Sequence, residues 1–265
     1  MQNTTKQFSG LWAVILGGSS GFGFATAEKL AGHGMNVAVL YREIAASDKI
    51  VKQKLADIAA ANGVEIDAHN INALDESVRK SFVAAFVGDK KNKVRLLLHS
   101  IARGNLKPLA GEEGALLSVE DIQLTTYAMA TSMLDWAREL LHAEAFCRDA
   151  RVIGLTSEGS YKYWDGYAAV SVAKASLESL NTYMAVELAP YGLKTNLIQA
   201  GVTATPSLKR IPGSDRLIEG ATQRNPFKRL TKPNDVANVI YLLCTDEAAW
   251  INGSVIQVDG GEHCR

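Results

Sequence analysis

Leu11-Trp-Ala-Val-Ile-Leu16 runs directly into Gly17-Gly-Ser-Ser-Gly-Phe-Gly23, and the residues from 24 to 32 continue as a helix-forming stretch. A strand, a glycine turn and a helix N-terminus therefore coincide at the first βα junction. Glycines at such a junction let the backbone approach a pyrophosphate and let the helix pack on the strand, while free N–H groups and the helix dipole receive the negative charge. The spacing Gly-x3-Gly-x-Gly, formed by Gly17, Gly21 and Gly23 with Ser19, Ser20 and Phe22 between them, makes the turn a candidate dinucleotide site. The plainer reading is a tight turn needed only for packing.

Outward from this unit, short apolar runs recur at 11–16, 37–40, 64–68, 94–98, 152–155, 195–198 and 255–258. Helical segments are expected between them, at about 22–33, 43–61, 75–88, 119–148, 167–189 and 233–244. Nearly continuous hydrophobic strands suit a parallel sheet covered on both faces. The alternation predicts an α/β fold, a Rossmann-type doubly wound parallel sheet of about seven strands with helices on both faces. Residues 201–232 break the alternation with Pro, Gly, Thr and basic residues, and read as a substrate lid. With neither linker composition nor repeats elsewhere, residues 1–265 read as a single dinucleotide-binding catalytic domain.

The bulk composition narrows the function classes. Lys+Arg and Asp+Glu both total 28, so there is no overall charge to attract nucleic acid or a membrane surface. The three cysteines, Cys147, Cys244 and Cys264, form no CxxC pair, which argues against a disulfide framework and a zinc site; no metal is expected. Residues 1–8 lack a basic-then-apolar leader pattern, and no apolar stretch of 18 residues follows, so the expectation is a cytoplasmic protein without a membrane span.

At the end of the second strand an acidic residue would bind the adenosine ribose and repel a 2′-phosphate. Here the chain reads Leu40-Tyr41-Arg42, and a guanidinium can pair with that phosphate, which favours NADPH; Glu43 beside it keeps NADH open. Tyr167 and Lys174 stand seven residues apart in a stretch of helix formers without Pro or Gly, about 10 Å of rise, so they share one helical face. The ammonium can anchor the nicotinamide ribose and tune the phenol as a proton donor. After the sixth apolar run, Gln199-Ala-Gly-Val-Thr-Ala-Thr205 can set the backbone near Gly201 and Thr203, together with Thr205, against the cofactor. Between 205 and 232 stand seven basic residues, Lys209, Arg210, Arg216, Arg224, Lys228, Arg229 and Lys232, against Asp215 and Glu219. Such a rim would attract an acidic carrier protein, or it is a solvated loop.

The glycine turn and the C-terminal Gly253-Ser-Val-Ile-Gln-Val-Asp-Gly-Gly261 resemble the short-chain dehydrogenase/reductase superfamily over nearly the whole chain. Most reductases of that superfamily place the tyrosine four residues before the lysine, where this chain has Val170. Tyr-x6-Lys, with His99-Ser100-Ile101-Ala102 after the fourth strand, is similar to the enoyl-acyl-carrier-protein reductases of fatty-acid synthesis, of type I or type III. The resemblance implies reduction of trans-2-enoyl thioesters carried on acyl carrier protein or coenzyme A, with a carbonyl or alcohol oxidoreductase as the rival and a non-catalytic dinucleotide binder as a third reading. It also implies Ser157 as the active-site serine, Ser100, Ile101, Ala102, Asn70 and Ile71 as cofactor contacts, and a homotetramer formed through the helices at 119–148 and 167–189. Ser157 has the alternative role of a backbone cap.

Overall fold

Among the described residues, seven parallel strands form the centre of the molecule. They are β1 (Trp12–Leu16), β2 (Asn36–Tyr41), β3 (Ile66–Asn70), β4 (Val94–His99), β5 (Phe146–Thr156), β6 (Leu193–Ala200) and β7 (Val255–Val258), in the spatial order β3-β2-β1-β4-β5-β6-β7. The computed structural model describes residues 6–88, 90–111, 116–211 and 213–265; the leader-free reading of the N-terminus falls largely on residues 1–5, outside them. The chain winds outward from β1 to β3, then returns to lay β4 against the other side of β1. That reversal opens a crevice at the C-terminal ends of β1 and β4, where open α/β sheets hold their ligands.

Among the described residues, eight α-helices flank the sheet: α1 (Gly21–Gly32), α2 (Ala45–Asn62), α3 (Glu76–Val87), α4 (Val119–Thr126), α5 (Ser132–His142), α6 (Ala168–Glu187), α7 (Ser214–Arg224) and α8 (Pro233–Cys244). Alternate strand residues divide the core into two layers. Trp12, Val14 and Leu16 face Phe82 and Phe86 of α3, Trp136 and Leu140 of α5 and Leu177 of α6. Ala13 and Ile15 face Leu30 of α1, Leu55 of α2 and Val236 and Ile240 of α8. Away from the crevice, two buried guanidiniums close the C-terminus of α8. Arg151 donates from Nε to the Leu243 carbonyl at 2.6 Å, and Arg95 from Nε to the Cys244 carbonyl at 2.9 Å, satisfying carbonyls that the helix leaves free. Among the described residues, no helix is long and apolar enough to cross a membrane.

The structure departs from the sequence reading at four places. The third strand begins at Ile66 rather than 64, because the Val64 N–H is taken by the Ala59 carbonyl in the left-handed cap that Gly63 makes for α2. The helix expected over 119–148 is two helices joined by a π-helical turn at Tyr127–Thr131, and α5 stops at His142. Residues 146–148 belong instead to β5, where Phe146 pairs with Val94 ahead of a register shift. Finally, the 201–232 segment contains a full helix, α7, which its thin apolar stripe of Leu217, Ile218 and Ala221 barely signals.

Candidate active site

The residues singled out by sequence gather at the C-terminal edge of the sheet: Gly17 follows β1, Arg42 follows β2, Asn70 ends β3, Ser100 follows β4, Ser157 follows β5 and Gly201 follows β6. Gly17 adopts φ +87, donates its N–H to the Leu40 carbonyl at 2.8 Å, and leaves no room for a side chain, since a Cβ would lie 2.4 Å from the Ser100 carbonyl oxygen. Gly23 is as tightly placed, against the Gly17 carbonyl at 2.4 Å. Ser20 precedes α1 in extended conformation without capping it through its side chain, and the first turn holds no acidic residue. First-turn N–H groups left without a capping side chain, backed by the positive end of the helix dipole, suit a pyrophosphate. Thr205 lies directly over this turn, its Cγ2 3.4 Å from where a Gly21 Cβ would be; its hydroxyl also accepts from the Leu208 N–H at 3.2 Å. Thr203 is buried and donates to the Gly201 carbonyl at 2.9 Å, so both residues shape the start of the 201–232 segment.

Beyond β2, Arg42 is exposed and makes no hydrogen bond or ion pair among the described residues. Glu43 is engaged: its carboxylate accepts from the Ser19 hydroxyl at 2.9 Å. The Asn70 side chain clasps the Glu43 backbone from both sides, accepting from its N–H and donating to its carbonyl, each at 2.9 Å. Asn70 is thus committed to holding the β2–α2 loop. Ile71 donates its N–H to the Tyr41 carbonyl and packs on the core, while Ser100 donates its N–H to the Leu16 carbonyl, and Ile101 and Ala102 follow in the loop after β4.

Tyr167 sits one residue before α6, as its N-cap, rather than inside the helix. It packs, as Leu106 and Leu74 also do, against the buried cluster of Ala128, Met129, Val170 and Ala173. Burial pushes the phenol above its usual value, with the Ser157 hydroxyl beside it pulling in the other direction. Ser157 Oγ is itself buried and completes no hydrogen bond of ordinary geometry, so a hydroxyl with unspent capacity stands next to the phenol. Lys174 is buried, and its ammonium donates to the Leu155 carbonyl at 2.6 Å; loss of solvent lowers its pKa to about 8, against the pull of Glu178. That bond holds the ammonium against β5, and the phenol is governed by burial and by the Ser157 hydroxyl.

His99, at the end of β4, is wholly buried against the Ser132 hydroxyl at 2.8 Å, and burial and Lys174 bring its pKa down to about 3, leaving it neutral. Met129, Met133 and Trp136 are core. Tyr163 is exposed and bonds Asp165, and Tyr161 reaches Gln199.

Sequence reasoning missed two contributors. Gly104, in the loop after β4, comes so close to α6 that a Cβ would lie 2.6 Å from Cγ2 of Val170. Arg224, counted from sequence among the basic rim residues, is bound inward to Glu158 and Glu262, and Arg229 is paired with Asp235. Neither Gly104 nor Arg224 has a local signature, because the residues they meet are remote in the chain. Among the described residues no cluster of three or more His, Cys, Asp or Glu is arranged to hold a metal.

Comparison with known proteins agrees with this geometry. Residues 17–263 match the family described as Enoyl-(Acyl carrier protein) reductase. An NADH enoyl-[acyl-carrier-protein] reductase of Aquifex aeolicus is 28% identical, over 80% of this chain and 77% of its own. A 3-oxoacyl-[acyl-carrier-protein] reductase of Synechocystis is 29% identical, over 94% and 95%. The crystal structure of an NADH enoyl-[acyl-carrier-protein] reductase from Aquifex aeolicus superposes with a TM-score of 0.82 at 25% identity, covering 98% of each chain. A glycine turn shaped for a pyrophosphate, a seven-stranded parallel sheet and a match over nearly the full length together place the chain in the enoyl-(acyl carrier protein) reductase family of the short-chain dehydrogenases/reductases, oxidoreductases that work with a nicotinamide dinucleotide.

Proposed function

We propose that the chain reduces the carbon–carbon double bond of trans-2-enoyl thioesters, with NADPH as the preferred reductant and NADH as the alternative. The observation that carries this reading is position 170. Four residues before Lys174, where a phenol would serve a ketone, Val170 is buried and shut in by the approach of Gly104. The one phenol of this helix entrance lies a turn earlier, at Tyr167. When bound, the reduced nicotinamide supplies a hydride, which in conjugate reduction is delivered to the β-carbon, two atoms beyond the thioester carbonyl carbon. The oxygen that gathers charge is then displaced from the cofactor, and a phenol moved back by one turn follows it. Tyr167, kept protonated by burial, donates a hydrogen bond to that oxygen and later its proton to the enolate. Ser157 orients the phenol or the thioester oxygen, and Lys174 holds the cofactor's ribose.

A second reading, ketone reduction, is favoured by Ser157 beside Tyr167 and by the 3-oxoacyl relative. Cofactor oxidation with crotonyl and acetoacetyl thioesters separates the two; faster turnover of the ketone removes the enoyl reading. Arg42 is the proposed partner of a 2′-phosphate, since Glu43 beside it is already occupied by Ser19. Arg42→Ala is expected to weaken NADPH binding about tenfold to a hundredfold, the worth of a charge-assisted pair, and to leave NADH nearly unchanged. Fluorescence titration with both cofactors checks this.

A pH profile tests Lys174. With its pKa lowered to about 8, the free enzyme loses the ammonium as pH rises through that value, so kcat/KM falls on the alkaline side, and Lys174→Met removes this limb at a much lower rate. Unfolding does not explain the fall. The unfolded chain keeps this proton up to about 10.5, the ordinary value of a lysine, so over that interval the folded state binds fewer protons and this group's contribution to stability rises with pH.

Residues 201–232 are proposed as a lid on the acyl site within one catalytic domain. Lys209, Arg210, Arg216, Lys228 and Lys232 remain exposed there, and form the rim proposed to attract an acidic acyl carrier protein, with coenzyme A as the alternative carrier. A homotetramer built through α6 and α4–α5, working in the cytoplasm, completes the proposal, and exposed Val172, Tyr183 and Val186 support association through α6.

A further inference from the structure

We infer that Arg224 is a positioning residue: it latches the 201–232 segment to the turn that carries Ser157 and, through that turn, sets the Tyr167 ring. The latch rests on the enoyl-thioester reading only for the identity of the substrate it encloses. Arg224 stands in the last turn of α7, and a single nitrogen, Nη2, bridges two carboxylates, those of Glu158 and of Glu262, the latter at 2.6 Å. Glu158 immediately follows Ser157 and is held on its other oxygen by Lys162 at 2.7 Å. The next residue, Gly159, presses on the tyrosine, since a Cβ there would lie 2.6 Å from Cε1 of Tyr167. Glu262 lies in the C-terminal turn with its side chain only 2% exposed, and its second oxygen accepts from the Val202 N–H, at the root of the 201–232 segment, at 3.3 Å. One guanidinium therefore ties α7 to the turn after β5 and to the C-terminal turn, whose Glu262 also holds the root of the segment at Val202.

The bridge requires a cation. Two carboxylates brought this close repel unless one lies between them, and the permanently charged guanidinium meets that need, with an ammonium as a weaker substitute. Burial pushes the Glu262 carboxyl up while Arg224 pulls it down, so the guanidinium favours the charged form that it binds. Arg224 Nε is buried without a partner, as expected of a side chain placed to bridge rather than to satisfy every donor. The residue touches neither the cofactor turn nor the phenol, so its effect on chemistry is indirect.

The test uses Arg224→Met, Arg224→Lys and Glu158→Gln in the full chain. Trypsin cleavage after Lys209, Arg210 and Arg216, followed by mass spectrometry, reads opening of the segment. Arg224→Met is expected to be cut at least about tenfold faster, with KM for a crotonyl thioester raised about tenfold and NADPH affinity within about twofold of wild type, the signature of a local opening rather than global unfolding. Arg224→Lys restores part of the protection. If Arg224→Met fails to fold, Glu158→Gln, which removes one leg of the bridge, is expected to show the same change in smaller degree. Cleavage at the wild-type rate in a folded Arg224→Met, or in Glu158→Gln where that variant replaces it, overturns the latch. Absence of enoyl-thioester turnover in the wild type overturns the substrate reading instead, and the cleavage rates still decide the latch.

Discussion

Replacing Tyr167 by phenylalanine is expected to lower kcat for an enoyl thioester by about 10² to 10³, the effect of removing one donor aimed at developing negative charge. The ring keeps its packing against the cluster of Ala128, Met129, Val170 and Ala173, so the fold and its melting temperature should be nearly unchanged. Cofactor affinity should also be kept, because the glycine turn and Lys174 do not depend on the phenol oxygen. The pattern to look for is a fall in kcat and kcat/KM together, which marks an interaction made in the transition state rather than in the ground state. A kcat within about threefold of wild type would show that another donor holds the enolate. Ser157, whose buried hydroxyl is unspent, is then the residue to test.

What was legible from sequence and what was not follow from the range of each interaction. The glycine turn is local: strand, turn and helix start within thirteen residues, and the need for glycine is imposed by the chain's own neighbours. The Tyr167–Lys174 spacing is also local, although the structure moves Tyr167 to the helix entrance and turns Lys174 onto the Leu155 carbonyl. The alternation of apolar runs gives the parallel sheet because both of its faces are covered, so each strand declares itself without reference to its partners.

The rest depends on contacts across the chain. Cys147, Arg148 and Asp149 hide the first half of β5 behind polar side chains, and only pairing with β4 reveals it. Asn70 has the composition of a cofactor contact, yet its amide is consumed by the Glu43 backbone 27 residues away. Arg224 reaches Glu158 across 66 positions and Glu262 across 38, so a residue that looks like part of a basic surface is an internal bridge. Charge counts along a segment overstate its attraction for a partner whenever some of the charges are spent on the protein itself.

Gly17→Ala is expected to damage both binding and stability. At φ +87 an L side chain costs about 1–2 kcal/mol from strain alone. The added carbon would also lie 2.4 Å from the Ser100 oxygen and 2.8 Å from its carbonyl carbon, backbone atoms that cannot rotate away. The Ser100 N–H is bonded to the Leu16 carbonyl at 2.8 Å, so relief requires the ends of β1 and β4 to part, and the crevice between them is the cofactor's place. A loss of about 2–4 kcal/mol in a denaturant titration is expected, within the range for strain combined with a backbone clash. With the turn displaced by about an ångström, cofactor affinity should fall by about 10² or more. Gly10 supplies the control. It has a similar φ of +79 but nothing within 4 Å of an added Cβ, so Gly10→Ala should carry the strain without the clash and leave cofactor binding intact. Equal effects of the two substitutions on cofactor affinity would mean that the close approach of Gly17 to Ser100 does not shape the site.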